Sequence, residues 1–344
     1  VALTEIHEKF HLSNEFSIRP AQFDDVQAVV DLMNAHEFEF MGIAGNNHDD
    51  LLRNWQSPGF NVQTDTTLVL TKDGQFVGYG AVVNTNPPHV TAWVWGAVHP
   101  DFKNRGIGSY LMNWFEARGR LDIEKAPANA RVVLMTESYY TNAESAALYV
   151  RHDYTLIRHG LRMVIDVENN DVPAAVLPEG IVVRSFVRGQ DDEATYRAFQ
   201  ESFQDHWGHV EEPFETGFPD FQHWYQADKR WDPTVWFLAM DGDEIAGVSL
   251  CSNHFDGEPD MAYVSVLGIR RPWRRQGLAL ALLHHTFTEF KGRGRKKVSL
   301  HVDGFSLTGA TKLYEKAGMH KDHQWDIYEK ELRAGDDLTT QKVE

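Results

Sequence analysis

Two segments of this chain have the residue types and spacing to hold a pyrophosphate. Val98-His99-Pro100-Asp101-Phe102-Lys103-Asn104-Arg105-Gly106-Ile107-Gly108 in the first half is answered by Ile269-Arg270-Arg271-Pro272-Trp273-Arg274-Arg275-Gln276-Gly277-Leu278-Ala279 in the second. Each leaves a β-branched strand end, passes a basic residue and closes with Gly-x-small where an apolar-periodic helix begins. Such a joint leaves several backbone N–H groups free at the positive end of a helix, which suits an anion. The candidate donors run from Lys103 through Asn104, Arg105, Gly106, Ile107 and Gly108 to Ser109, and from Arg274 through Arg275, Gln276, Gly277, Leu278 and Ala279 to Leu280. Lys103 and Arg274 add side-chain charge. Neither segment fits the nucleoside-triphosphatase P-loop or the dinucleotide fingerprint, because Gly-x4-Gly-Lys-Ser/Thr and Gly-x-Gly-x-x-Gly are both absent there.

The elements that must position these loops occur twice. Arg19 pairs with Arg184, the Asp73-Gly74 turn with Asp241-Gly242, Gly106 with Gly277, and Tyr149 with Tyr314, at separations between 165 and 171 residues. A nearly constant shift across four landmarks indicates duplication. Within each copy the order reads strand, helical region, hairpin, long strand, loop, helix, strand, helix, strand. Thr67 to Leu70 and Phe76 to Val83 flank the first turn, and Val235 to Met240 and Ile245 to Leu250 flank the second. Ile107, Leu111, Trp114 and Phe115 form one apolar helix stripe, and Leu283, Phe287 and Phe290 another. The fold class is α+β: two tandem domains, each a mixed, mostly antiparallel sheet flanked by helices. The boundaries fall at 14–167, a Pro-interrupted linker at 168–180, 181–333, and a polar tail at 334–344. The first thirteen residues and that tail lack an apolar period, so a peripheral or disordered role is expected for both.

The basic residue followed by x-x-Gly-x-Gly/Ala resembles the acyl-CoA loop of the GCN5-related N-acetyltransferase (GNAT) family, and the tandem arrangement resembles the two-domain members that include mycothiol synthase. Asn142-Ala143-Glu144-Ser145-Ala146-Ala147-Leu148-Tyr149 is similar to that family's late-helix pattern, while Leu307 to Tyr314 keeps the Tyr and loses the Asn. The resemblance implies acetyl-CoA as co-substrate, held also by the strand ends around Val98, Leu267 and Ile269 and by Asn142. It implies that Tyr149 or Tyr314 protonates the departing sulfur, although a packed core tyrosine fits either position equally. A strand carboxylate is common in relatives as general base, yet Thr91 to Val98 and Tyr263 to Ile269 contain none. Glu137 in the first copy and His301, with Glu258, Asp260 and Asp303, in the second are the nearby substitutes. Acceptor contacts are expected from the helix after each first strand, where His206, Trp207 and Glu211 concentrate aromatic and acidic groups suited to an amine. That concentration favours the second copy as the main catalyst.

Composition agrees with a globular protein, with 344 residues, 42% hydrophobic and 24% charged. A formal net charge of −17 argues against a nucleic-acid partner. No run of about 18 apolar residues and no leader at Val1 is visible, so no membrane association and a cytoplasmic location are expected. The lone Cys251 excludes an internal disulfide, and His284-His285 and His320-x-x-His323 lack partners at ligand spacing, so no metal is expected. The expected activity is transfer of an acetyl group from acetyl-CoA to a primary amine, of a small molecule, by direct attack. An acetyl-CoA-binding sensor, or a structural protein with one or both halves inert, stays open beside it, and oligomeric state is unread.

Overall fold

The computed structural model describes residues 12–228, 230–255, 257–306 and 309–341. The first eleven residues of the expected peripheral arm, Leu307 and Thr308 of the second late-helix motif and the last three residues of the tail lie outside them. In chain order the first half contains β1 (Phe16–Arg19), α1 (Val26–Met41), α2 (His48–Trp55), α3 (Val62–Asp65), β2 (Thr66–Thr71), β3 (Phe76–Val83), β4 (Thr91–Val98), α4 (Ile107–Leu121), β5 (Val132–Tyr139), α5 (Ala143–Arg151) and β6 (Thr155–Asp166). The second contains β7 (Ile181–Ser185), α6 (Asp192–Phe203), α7 (Phe214–Gln226), β8 (Trp236–Asp241), β9 (Glu244–Ser252), β10 (Met261–Ile269), α8 (Leu278–Gly292), β11 (Lys297–Asp303), α9 (Ala310–Lys316) and β12 (His320–Arg333). The α+β class and both hairpins follow the expectation; Gly74 and Gly242 take the left-handed φ of +89° and +57° that such turns require.

The chain forms two compact units that do not coincide with the two repeats. One joins the residues up to 158 with 325–338, and the other joins 159–324 with those from 339 onward. The expected boundaries, 14–167 and 181–333, follow the repeat but assign each terminal strand to the wrong unit. In unit 1 the strand order is β1-β2-β3-β4-β5-β12, antiparallel throughout except for β4 and β5. In unit 2 it is β7-β8-β9-β10-β11-β6, antiparallel except for β10 and β11. Each copy therefore borrows its last strand from the other. Lys330 of β12 is anchored in unit 1 by Glu116 Oε2 at 2.5 Å and the His152 carbonyl at 2.9 Å, and Arg162 of β6 is held in unit 2 by Glu258 at 2.6 Å and by Asp322.

Helix packing brings each loop to its sheet. Ile107, Leu111, Trp114 and Phe115 are all buried on α4, and Leu283, Phe287 and Phe290 on α8. α4 lies close enough on β3 that a Cβ at Gly80 would come within 2.9 Å of the Phe115 ring. Glycine there sets the depth of the helix.

The exchange makes a direct prediction. A chain cut within 168–180 leaves β5 as an unpaired edge, since Trp325–Arg333 no longer reaches it. Residues 14–167 alone are expected to lack a cooperative thermal transition, and the same fragment extended by residues 318–338 through a flexible linker to regain one. Equal, cooperative melting of both fragments by circular dichroism contradicts the account.

Candidate functional site

Both loops have the same backbone. After β4 the chain makes a short 3-10 turn at Pro100–Phe102, then Asn104 and Gly106 take φ of +59° and +85°; after β10 a turn at Arg271–Trp273 precedes Arg275 and Gly277 at +62° and +83°. The residue between each pair, Arg105 or Gln276, keeps a negative φ. Alternating handedness turns successive N–H groups toward one side, forming an anion-binding concavity. Gly106 and Gly277 stand at the N-caps of α4 and α8 with no side-chain cap, so the first-turn N–H groups remain available. There is also room: a Cβ at Gly277 would meet nothing within 4 Å, and one at Gly106 only Leu12 at 3.7 Å. The cradle fits a phosphate group.

The side chains expected to add charge are otherwise engaged. Arg274 donates from Nε to the Ile269 carbonyl at 2.9 Å and from Nη2 to the Ser202 carbonyl at 3.2 Å, and pairs with Asp205. Asp205, only 3% exposed, is held down at about 2 by the guanidiniums of Arg271 and Arg274. Arg274 therefore clamps α6 to the end of β10, contacts that its place beside the glycine motif did not foretell. Lys103 lies 2.5 Å from Glu39 Oε1 and 3.1 Å from Glu144 Oε2. Arg105 lies over the Phe102 ring at 4.8 Å, Arg275 is exposed, and Gln276 donates to the Pro272 carbonyl at 3.1 Å. In unit 1 the carbonyl matching that of Ile269, on Val98, accepts instead from His36 Nδ1 at 3.1 Å. A carbonyl only accepts, so His36 is protonated on Nδ1, and burial lowers its pKa toward the neutral ring.

Beside each loop two parallel strands part. β4 and β5 are paired only from Thr91–Val133 to Trp93–Met135, and β10 and β11 only from Met261–Lys297 to Val264–Leu300. β10 also carries an irregularity between Val264 and Val266. Two residues beyond Met135 lies Glu137; two beyond Ser299, which pairs with Tyr263, lies His301. The two expected acid–base candidates thus occupy the same position in their respective units, an equivalence that the drifting sequence offset concealed. Burial shifts both toward neutrality. Glu137, half-buried, is raised to about 7, and His301, although exposed on its strand, is lowered to about 4 by the protein crowded around its ring and then by Arg162 and His323.

Tyr149 lies next to Glu137, and Tyr314 acts on Tyr263, which lies beside His301. Tyr149 OH donates to the Glu137 carbonyl at 3.2 Å, and burial pushes its pKa up to about 12. Tyr314, 8% exposed, is likewise raised to about 12. Tyr263, which sequence reasoning missed because an aromatic in a strand reads as core, has its ring 5.3 Å from His301 and is raised to about 12 by burial and by Tyr314. All three phenols therefore hold their protons at neutral pH.

Other candidates take structural contacts. Asn142 is the N-cap of α5, its Oδ1 accepting from Ser145 N at 3.0 Å, a local reason for that residue apart from any ligand. His206 is exposed with its ring 4.1 Å from Phe203, and Glu211 is exposed. Trp207 Nε1 donates to Gln341 Oε1 at 2.8 Å, Gly208 N to the Thr340 carbonyl at 2.9 Å, and Thr340 N to the His209 carbonyl at 2.8 Å. The tail, expected to be peripheral, is therefore docked on the acceptor segment through residues 340–341. Cys251 is buried and raised to about 12, so it stays a thiol. Among the described residues no group of three His, Cys, Asp or Glu could hold a metal ion, and no helix is long and apolar enough to cross a membrane.

The raised Glu137 pKa fixes the sign of a stability effect. The folded state holds this proton more tightly than the unfolded chain, so its contribution is full below the ordinary value of 4.5 and is lost as pH rises through about 7. Glu137→Gln stays neutral at every pH. Its melting temperature relative to wild type is expected to rise between pH 4 and pH 8; a gap that does not change with pH rules out a buried, proton-holding carboxyl.

Comparison with known proteins gives a consistent picture. Residues 193–319 match the acetyltransferase (GNAT) family, and residues 63–156 match an acetyltransferase (GNAT) domain. The mycothiol acetyltransferase of Pseudarthrobacter chlorophenolicus is 28% identical over 236 residues, 67% of this chain and 67% of that protein. That of Amycolatopsis mediterranei is 27% identical over 271 residues, covering 76% and 82%. The crystal structure of a GCN5-related N-acetyltransferase from Sphaerobacter thermophilus aligns with a TM-score of 0.77 at 33% identity, over 95% of this chain and 99% of that one. A tandem GNAT protein from the clavulanic acid biosynthesis pathway shares the fold, with a TM-score of 0.69 at 16% identity over 94% and 100% of the two chains.

Proposed function

The chain belongs to the GCN5-related N-acetyltransferase family of acyl-CoA-dependent acetyltransferases, and from that premise we propose that it transfers an acetyl group from acetyl-CoA to a primary amine of a small molecule by direct attack. The observation that carries the reading is the uncapped, glycine-led helix start beside a parting pair of parallel strands, found in each unit. The curated relatives named as mycothiol acetyltransferases support a small-molecule acceptor.

Acetyl-CoA supplies the activated thioester. In unit 1 the N–H groups from Asn104 to Ser109 receive its pyrophosphate, and in unit 2 those from Arg275 to Leu280 do. The acceptor amine arrives as an ammonium and gives one proton to Glu137, whose pKa near 7 suits a base at neutral pH. The nitrogen then bonds to the acetyl carbon as the carbon–sulfur bond breaks. Tyr149 gives its proton to the sulfur, and the second proton leaving the nitrogen restores Tyr149. In unit 2 Tyr314 and His301 hold the corresponding places, with His301 the weaker base because its pKa is about 4. His206 and Glu211 are the acceptor contacts proposed for that unit.

Two observations favour unit 1 as the principal catalyst, reversing the sequence expectation. Trp207, which weighed toward unit 2, is bonded to Gln341, and Glu137 is the better-matched base. Thiol release from acetyl-CoA across an amine panel is the primary test. Gly106→Asp, which puts a carboxylate at the N–H cradle, is expected to lower turnover by about a hundredfold or more, and Gly277→Asp to leave most of it. The opposite pattern assigns catalysis to unit 2. Tyr149→Phe is expected to lower kcat by about a hundredfold with acetyl-CoA affinity nearly intact; unchanged kcat removes Tyr149 from the mechanism.

A further inference from the structure

The same face of the two sheets is furnished differently. In unit 2, Arg162 is the register partner of His301, and its guanidinium lies 5.2 Å from the Phe255 ring centroid, paired with Glu258 and Asp322. The protein supplies its own cation there, over an aromatic ring. In unit 1 the register partner of Glu137 is Ile327. No opposite charge contributes to the Glu137 shift, which comes from burial alone. On the neighbouring strand Trp93 and Trp95 stack with ring centroids 5.8 Å apart and planes 15° apart, and Trp95 is 42% exposed. Paired residues of adjacent strands face the same side, and side chains alternate along each strand, so Trp93, Trp95, Met135, Glu137 and Ile327 share one face. That face holds a carboxyl and an exposed tryptophan where the strands part, and among the described residues no cation shifts Glu137 as Arg162 shifts His301 in unit 2.

Resting on the acetyltransferase reading, we propose that this face of unit 1 is the acceptor site and takes a small diamine, one amine reacting beside Glu137 and the second held as a cation against Trp95. Trp is the aromatic side chain that attracts an ammonium most strongly. Trp95 and Glu137 each lie two residues past the last paired residues of β4 and β5, Trp93 and Met135, on either side of the gap that the parting strands open, which suits a short α,ω-diamine. The chain's net charge of −17 favours the approach of such a cation.

The test compares 1,4-diaminobutane with butylamine, which has the same carbon chain and only one charge, using acetyl-CoA and wild type, Trp95→Ala and Trp95→Phe. Wild type is expected to show a KM for the diamine about tenfold below that for the monoamine. Trp95→Ala collapses the ratio toward one, and Trp95→Phe keeps most of it. Tetramethylammonium, which binds aromatic faces and cannot be acetylated, should compete with the diamine and quench tryptophan emission in wild type but not in Trp95→Ala. Equal KM values for the two amines, a ratio that survives Trp95→Ala, or acetylation of other amines but neither of these overturns the diamine site. If wild type acetylates no amine at all, the acetyltransferase reading fails, and the quenching experiment still decides whether the face binds a cation.

Discussion

A pair of parallel strands that stop bonding before they end shapes the candidate site of each unit. Parallel neighbours inside a sheet normally satisfy each other's N–H and C=O groups along their length. Here β4 and β5 are in register over only Thr91 to Trp93, and β10 and β11 over Met261 to Val264, so their later residues diverge. The parting places backbone polar groups where an extended ligand can pair with them. It also sends the first strand of each pair directly into the loop whose helix start can receive an anion. Glu137 and His301 lie on the second strand of each parting pair, and both are shifted toward the neutral form.

Local features of this arrangement are legible in the sequence. Asp73-Gly74 and Asp241-Gly242 specify tight turns through backbone preference, and the apolar stripes of α4 and α8 specify which helix face is buried, so both hairpins and both loop helices appear where expected. Contacts set by distant partners are not legible. Arg274 beside a glycine motif reads as a phosphate ligand, yet Asp205, 69 residues earlier, and the Ile269 carbonyl take it. β6 and β12 alternate in a way that suits either sheet, so nothing local tells which one each strand joins. Glu137 and His301 correspond through register rather than through a fixed offset, and only the pairing reveals it.

The two units show how a duplicated scaffold separates in chemistry while keeping its backbone. The left-handed residues recur at matching loop positions, 104 with 106 and 275 with 277, because the turn geometry demands them. Side chains have diverged around that constant frame. The carbonyl at the end of β4 accepts from a neutral imidazole, and that at the end of β10 from a guanidinium carrying a permanent charge. The loop cation is paired with Glu39 and Glu144 in unit 1, and with the deeply buried Asp205 in unit 2. Each difference alters electrostatics without altering the path of the chain.

The crossing of β6 and β12 has a consequence for how the polypeptide is made. Synthesis runs from the N-terminus, and domains commonly fold in that order as they emerge. Unit 1 cannot complete its sheet until Trp325–Arg333 has left the ribosome, although most of its residues were made more than 160 positions earlier. Unit 2, by contrast, has all its strands once β11 is out. The half synthesised first is therefore the half that waits, and a premature stop near the end of the message removes a strand from the beginning of the protein.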